Sequence, residues 1–143
     1  MKNVITVVKQ QLLKKIESAG FPSQEVAVSL SDFFEGNKFA GTIGVNLYPD
    51  TLTPEFFYQK LKEIDTHLQV HEIVIRITDV DDPVEWFYSD TVYINCSLTK
   101  EELQQCLSDL KPSEIYEGWM YGKPVILKTN ISVEQNIFSI WWD

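Results

Sequence analysis

The sequence predicts an α+β domain: amphipathic helices packed on one face of an antiparallel sheet of about six strands. Three observations predict it. Apolar residues recur at helical spacing in three segments that begin near residues 4, 54 and 99. Between these segments the apolar period falls to two, as in half-buried strands. The alternating runs are joined by short polar turns, which imply antiparallel pairing. The order read from the chain is helix then hairpin, repeated three times.

The first helix carries Ile5, Val8, Leu12, Ile16 and Ala19 on one face, and Gly20 followed by Pro22 stops it. In the first expected hairpin, Val26, Val28 and Leu30 alternate outward and Phe39, Gly41, Ile43, Val45 and Leu47 alternate back. The turn is placed at Glu35-Gly36-Asn37-Lys38. The second helix opens with Thr53 as N-cap, Pro54 at the first helical position and Glu55 beside the positive helix end. Phe57, Leu61, Ile64 and Leu68 line its apolar face. Ile73, Ile75 and Ile77 then alternate with Val74, Arg76 and Thr78. A polar turn at Asp79-Val80-Asp81-Asp82-Pro83 leads into a return strand from Val84 to Ile94, which Ser89-Asp90 is positioned to break.

The third helix has the fullest local signature. Thr99 and Glu102 form a capping box, and Leu98 and Leu103 form the hydrophobic staple around it. Cys106, Leu107 and Leu110 continue the stripe until Lys111-Pro112 ends it. Two aromatic-rich strands follow, Ser113 to Met120 and Asn136 to Trp142, separated by a looser connection from Gly122 to Gln135.

The 143 residues fit one domain, 1–143, and 44% apolar residues with 13% aromatics suffice for one core. No linker-like or low-complexity segment divides the chain. No apolar run approaches the roughly 20 residues needed to cross a bilayer, and Lys9, Gln10 and Gln11 interrupt the N-terminal apolar patch. These features predict a cytoplasmic protein that does not enter a membrane. Cys96 and Cys106 form no CxxC or Cys/His set and are read as free thiols, Cys106 on an apolar helical face. The formal charge of -9 repels polyphosphate, which argues against a nucleic-acid partner and favours a basic protein.

Catalytic and cofactor motifs are absent from the sequence. His67 and His71 straddle a helix end and a strand start and lack an HExxH context, so no metal site is assigned. The acidic turn after Thr78 lacks the glycine and distal glutamate of a calcium loop. The glycines from Gly36 to Gly44 follow a turn instead of opening a helix, unlike a phosphate loop, and there is no GxSxG. No cofactor is implied.

Helices on one face leave the other face of a two-layer sheet for water or a partner. Alternation sends Ile115, Glu117, Trp119 and Tyr121 to one side and Tyr116, Gly118 and Met120 to the other, so either side displays a ring. Rings beside carboxylates suit a protein contact: rings give area at low entropic cost, and acids select a basic partner. The candidate contact set is Glu85, Trp86, Tyr116, Glu117, Trp119, Tyr121 and Trp141, with Asp79, Asp81 and Asp82 of the neighbouring turn.

The segment Tyr116-Glu117-Gly118-Trp119-Met120-Tyr121-Gly122-Lys123-Pro124 resembles a Tyr/Trp/Gly-Lys-Pro signature of some immunity proteins of bacterial polymorphic toxin systems. That resemblance implies a non-enzymatic protein that binds a cognate, frequently basic, toxin domain and blocks it stoichiometrically, with the acidic-aromatic strands as the contact. Two other readings stand beside it. One is a small-ligand or enzymatic domain with a pocket between the sheet and the Gly122 to Gln135 connection, lined by Trp119, Trp141 or Tyr121. The other is a secretion-chaperone-like or structural homodimer.

Overall fold

A computed structural model describes residues 4–39, 41–47, 52–80 and 86–143. The architecture is α+β, with a six-stranded sheet in the order β4-β6-β3-β2-β1-β5. The strands are β1 (Val26–Ser29), β2 (Val70–Arg76), β3 (Thr91–Cys96), β4 (Glu114–Glu117), β5 (Val125–Leu127) and β6 (Asn136–Trp141). All neighbours are antiparallel except β1 and β5, so the sheet is mixed. The helices are α1 (Val4–Ser18), α2 (Leu30–Phe34), α3 (Pro54–Asp65) and α4 (Lys100–Cys106).

All four helices contribute buried apolar residues to one face of the sheet. Leu12 and Ile16 of α1, Phe33 and Phe34 of α2, Phe57 and Leu61 of α3 and Leu103 of α4 join Val28, Ile75, Val92 and Ile140 of the strands in one core. The register places Val28, Ile75, Val92, Ile140 and Ile115 in a single row across five strands of this face. The cap signals read from the sequence operate as expected. Thr53 accepts from the Phe56 N–H, and Thr99 and Glu102 form the reciprocal capping box.

Four expectations are corrected. The first hairpin does not form: Ser29 caps a five-residue helix by accepting from the Asp32 N–H, so the chain turns at Leu30 instead of continuing as a strand. Residues 41–47 run as turns and bends, tied by the Asn37 Nδ2 donation to Thr42 Oγ1 at 3.0 Å, with a 3-10 turn at Val45–Leu47. Gly44, at φ +66°, lies where a Cβ would come within 2.8 Å of the Phe57 ring, so residue 44 admits no side chain. The strand beside β1 is instead β5, from within the connection expected to be loose. Val8 is 42% exposed, off the buried face of α1, and Cys106 is exposed while Cys96 is buried. Among the described residues no helix is long and apolar enough to cross a membrane.

Candidate functional site

The second face of the sheet is neither bare nor helical. Its rows are Glu72, Asn95 and Ile137, then Val74, Tyr93, Ser139 and Tyr116, then Thr91, Trp141 and Glu114, with Ala27 opposite Arg76 beyond Val74. The segment after β4 folds across this face. Gly118, at φ +100°, breaks the strand alternation, and its carbonyl accepts from Ser139 Oγ at 2.7 Å while the Met120 N–H donates back to that oxygen. Trp119 is thereby laid against Tyr93, with ring centroids 4.9 Å apart and planes at 70°. The expectation of an open ring-bearing face is corrected to this extent: the chain's own loop covers part of it.

Polar groups then hold residues 128–135 down. Lys128 Nζ donates to Glu72 Oε2 at 2.9 Å, and Ser132 Oγ donates to the His71 carbonyl at 3.0 Å. Asn95 bonds the chain twice, through Nδ2 to the Val133 carbonyl and through Oδ1 from the Gln135 N–H. Trp119 Nε1 donates to Glu134 Oε1 at 3.0 Å. Beneath these contacts lies a cavity of about 70 Å³, walled by Tyr93, Trp119, Ile126, Ile131 and Ile137 with Glu72, Asn95 and Glu134 among its polar groups.

At one end of Tyr93 stands a second cluster. Arg76 is forked on Glu25 at 2.6 and 3.3 Å, reaches Asp90 at 3.2 Å and lies 3.7 Å from the Tyr121 ring centroid. Burial opposes the guanidinium's charge, but its bonds to Glu25 and the field of Asp90 outweigh that and raise its pKa above the ordinary arginine value. Burial pushes the Tyr93 phenol far above its usual range, against the pull of Arg76. Its hydroxyl is the buried side-chain polar atom without a hydrogen-bond partner among the described residues.

Trp119, Glu134 and Ile137 also line a groove of about 580 Å³ on the other side of the Trp119–Glu134 bond. This groove lies at the strand end where β3 finishes and β6 begins, bordered by Ser97 to Glu101, Glu117 to Trp119 and Glu134 to Phe138. Three carboxylates, Glu101, Glu117 and Glu134, face one lysine, Lys100. Leu68 (95% exposed) and Val133 (81%) flank it: Gln69 takes the Ser97 N–H, and Val133 precedes Glu134. With Ile131 at 59%, these are the most exposed large apolar side chains of the described residues.

The residues expected to form one patch are divided between the two ends of the sheet. Glu117 and Trp119 line the strand-end groove, and Tyr116, 44% exposed, adjoins them on β4. Asp79 is exposed at the far end of β2 and bridged through its backbone to Tyr88. Trp141 is half-buried in the row of Thr91, also away from the groove. Tyr121 is 37% exposed and engaged on Arg76. Trp86 is removed from the surface altogether, 2% exposed on the helix side, donating Nε1 to the Phe33 carbonyl at 2.7 Å. Asp81, Asp82 and Glu85 lie outside the described residues. Sequence reading missed Glu101, Glu134 and Val133, and its placement of Leu68 on the apolar face of the second helix is corrected: α3 ends at Asp65 and Leu68 is 95% exposed. These residues come from three separate segments, at residues 68, 101 and 133–134, which no local pattern joins.

The model of the family described as "Uncharacterized protein YfbO family" matches residues 7–138, nearly the whole chain. The chain belongs to the YfbO family. It is 28% identical over 117 residues to "Uncharacterized protein YfbO" of Escherichia coli (strain K12), a match covering 81% of each protein. No solved structure matches the chain. The family match spans α4, β4 and the first half of β6, and so includes the groove and the cavity.

Proposed function

We propose that this YfbO-family chain is a non-enzymatic binding domain that takes a basic partner protein in the strand-end groove. The carrying observation is that three carboxylates and a half-buried tryptophan line this groove, while two of the most exposed apolar side chains, Leu68 and Val133, stand on the segments next to it. Such a surface gives an interface its apolar anchors and its charge selectivity together. The net charge of -9 would steer a basic molecule toward it and speed encounter at low salt. A toxin domain is the partner class implied by the resemblance of Tyr116 to Pro124, and we carry it, met in the cytoplasm, as part of this proposal.

The test is capture with Glu101→Lys/Glu117→Lys/Glu134→Lys as the paired bait, with equal folding checked by circular dichroism. The proposal expects a basic protein retained by the wild type, released as salt rises, and lost from the triple variant. Equal recovery of the same proteins on both baits would overturn it. A second reading, a small-ligand domain, is supported by one observation: the cavity between the sheet and the Gly122 to Gln135 connection, walled by Trp119.

A further inference from the structure

We infer that the inner cavity is a subsite for a primary ammonium group. The inference rests on the small-ligand reading and adds the chemistry of the ligand. The same group could arrive as a free alkylamine or at the tip of a partner's lysine.

Size sets the first limit. A cavity of about 150 Å³ accommodates benzene, so one of about 70 Å³ suits a head group of about three heavy atoms. Charge sets the second. Glu72 contributes a carboxylate whose side chain is only 6% exposed. Its hydrogen bonds, from Lys128 Nζ and the Ser132 N–H, both fall on Oε2, so among the described residues Oε1 takes none. Glu134 supplies a second carboxylate at the boundary with the outer groove, where its ion pair with exposed Lys123 is long, 3.9 Å, and weak.

The walls fit the same ligand. Trp119 and Tyr93 present ring surface, which attracts a partly desolvated cation, and Ile126, Ile131 and Ile137 accept the methylenes behind it. Asn95 is already committed through both ends of its amide, so it shapes the cavity without competing for the ligand. A carboxylate or phosphate ligand would meet Glu72 and Glu134; Lys123, also in the lining, is 66% exposed at its side chain, and Lys128 is already committed to Glu72, so an anion is disfavoured. A neutral alcohol can donate one hydrogen bond to the Glu72 oxygen but brings no charge to the carboxylate, so it binds more weakly than an ammonium. A guanidinium, with four heavy atoms, exceeds the head group that about 70 Å³ suits.

Both residues of the Trp119–Glu134 hydrogen bond line the cavity and the groove alike. An ammonium passing from groove to cavity exchanges an indole N–H for a charged donor on the same Glu134 oxygen. Charged hydrogen bonds are the stronger kind, so the exchange favours entry.

The test is a proton–nitrogen NMR titration of the protein with n-butylammonium, n-butanol and n-butylguanidinium. The expected result is saturable shifts at the Trp119 indole and the Asn95 side chain with n-butylammonium alone, with a Kd on the order of millimolar. Glu72→Gln should weaken binding about tenfold or more. If Glu72→Gln fails to fold, Glu134→Gln and Trp119→Phe, both at half-exposed or exposed residues, serve instead and should each weaken it severalfold. Equal shifts with butanol, preference for the guanidinium, or undiminished binding in the variants would overturn the inference. A lysine-containing peptide and its norleucine counterpart then distinguish the sources: discrimination between them as large as that between butylammonium and butanol assigns the site to a partner's lysine, and no discrimination assigns it to a free amine. A null result in the amine titration leaves salt-sensitive capture of a basic protein standing, so the two proposals fail separately.

Discussion

Arg76→Met removes the cation around which one half of the sheet's second face is organised. The guanidinium side chain is 13% exposed, and its partners Glu25 and Asp90 are 30% and 20% exposed. Deleting one partner of a fully buried pair costs about 3–5 kcal/mol, because the charge left behind is unpaired. Here two carboxylates are left behind, but each retains access to water, which lowers the expected cost to about 2–3 kcal/mol. Loss of the guanidinium under the Tyr121 ring adds about 0.5–1 kcal/mol. With an unfolding entropy of about 2.1 cal/mol/K per residue, a chain of 143 residues changes by about 0.3 kcal/mol per degree. The variant should therefore melt about 10 °C lower by calorimetry or far-ultraviolet circular dichroism. Adding Glu25→Gln and Asp90→Asn removes the orphaned charges and should restore more than half of the loss. A single variant within about 0.5 kcal/mol of wild type, or a triple variant no more stable than the single, would refute the reasoning.

Three further outcomes are expected. Trp142, 2% exposed, donates Nε1 to the Leu110 carbonyl at 2.7 Å and meets Phe57 edge-on at 5.3 Å, so Trp142→Ala should cost about 3–5 kcal/mol in urea unfolding. Hydrogen bonds from the Thr99 backbone and side chain lower the Glu102 carboxyl below its ordinary value. Its contribution is complete above the usual glutamate range, about pH 4.3, and is lost as pH falls through the depressed value; Glu102→Gln should flatten that part of the stability profile. Cys106 is exposed, while burial raises the Cys96 thiol, so a thiol reagent should modify one cysteine promptly and the second only on unfolding.

Much of the fold was readable because the signals were local. Thr53-Pro54 and the Thr99–Glu102 box fix helix starts through hydrogen bonds spanning three residues, and α3 and α4 begin where those residues stand. The isoleucine alternation of β2 and the break at Ser89-Asp90 before β3 are local as well. The 26–47 region misled because α2 is five residues long, too short to show a helical period, while Phe39, Gly41, Ile43, Val45 and Leu47 alternate in the sequence yet belong to no strand. Strand β5 was missed for the opposite reason: three residues carry little pattern, and its parallel partner β1 lies about a hundred positions earlier.

The site was legible only in part. Glu117 and Trp119 were singled out and do share the groove, yet they reach it for a reason alternation could not supply, the left-handed Gly118. Trp86 was misplaced because an indole on a strand carries no mark of which face it takes. Its N–H is satisfied by Phe33, more than fifty residues away. The Glu72, Asn95 and Glu134 arrangement depends on a return of the chain across the sheet that no local pattern specifies.

The most direct test of the binding proposal is hydrogen exchange of the protein with and without its captured basic partner. The account predicts added protection concentrated at residues 97–101, 117–119 and 133–138, diminishing as salt weakens the complex. Protection centred instead on the outer edge of β5 and on α1, with the strand-end groove exchanging as in the free protein, would contradict it.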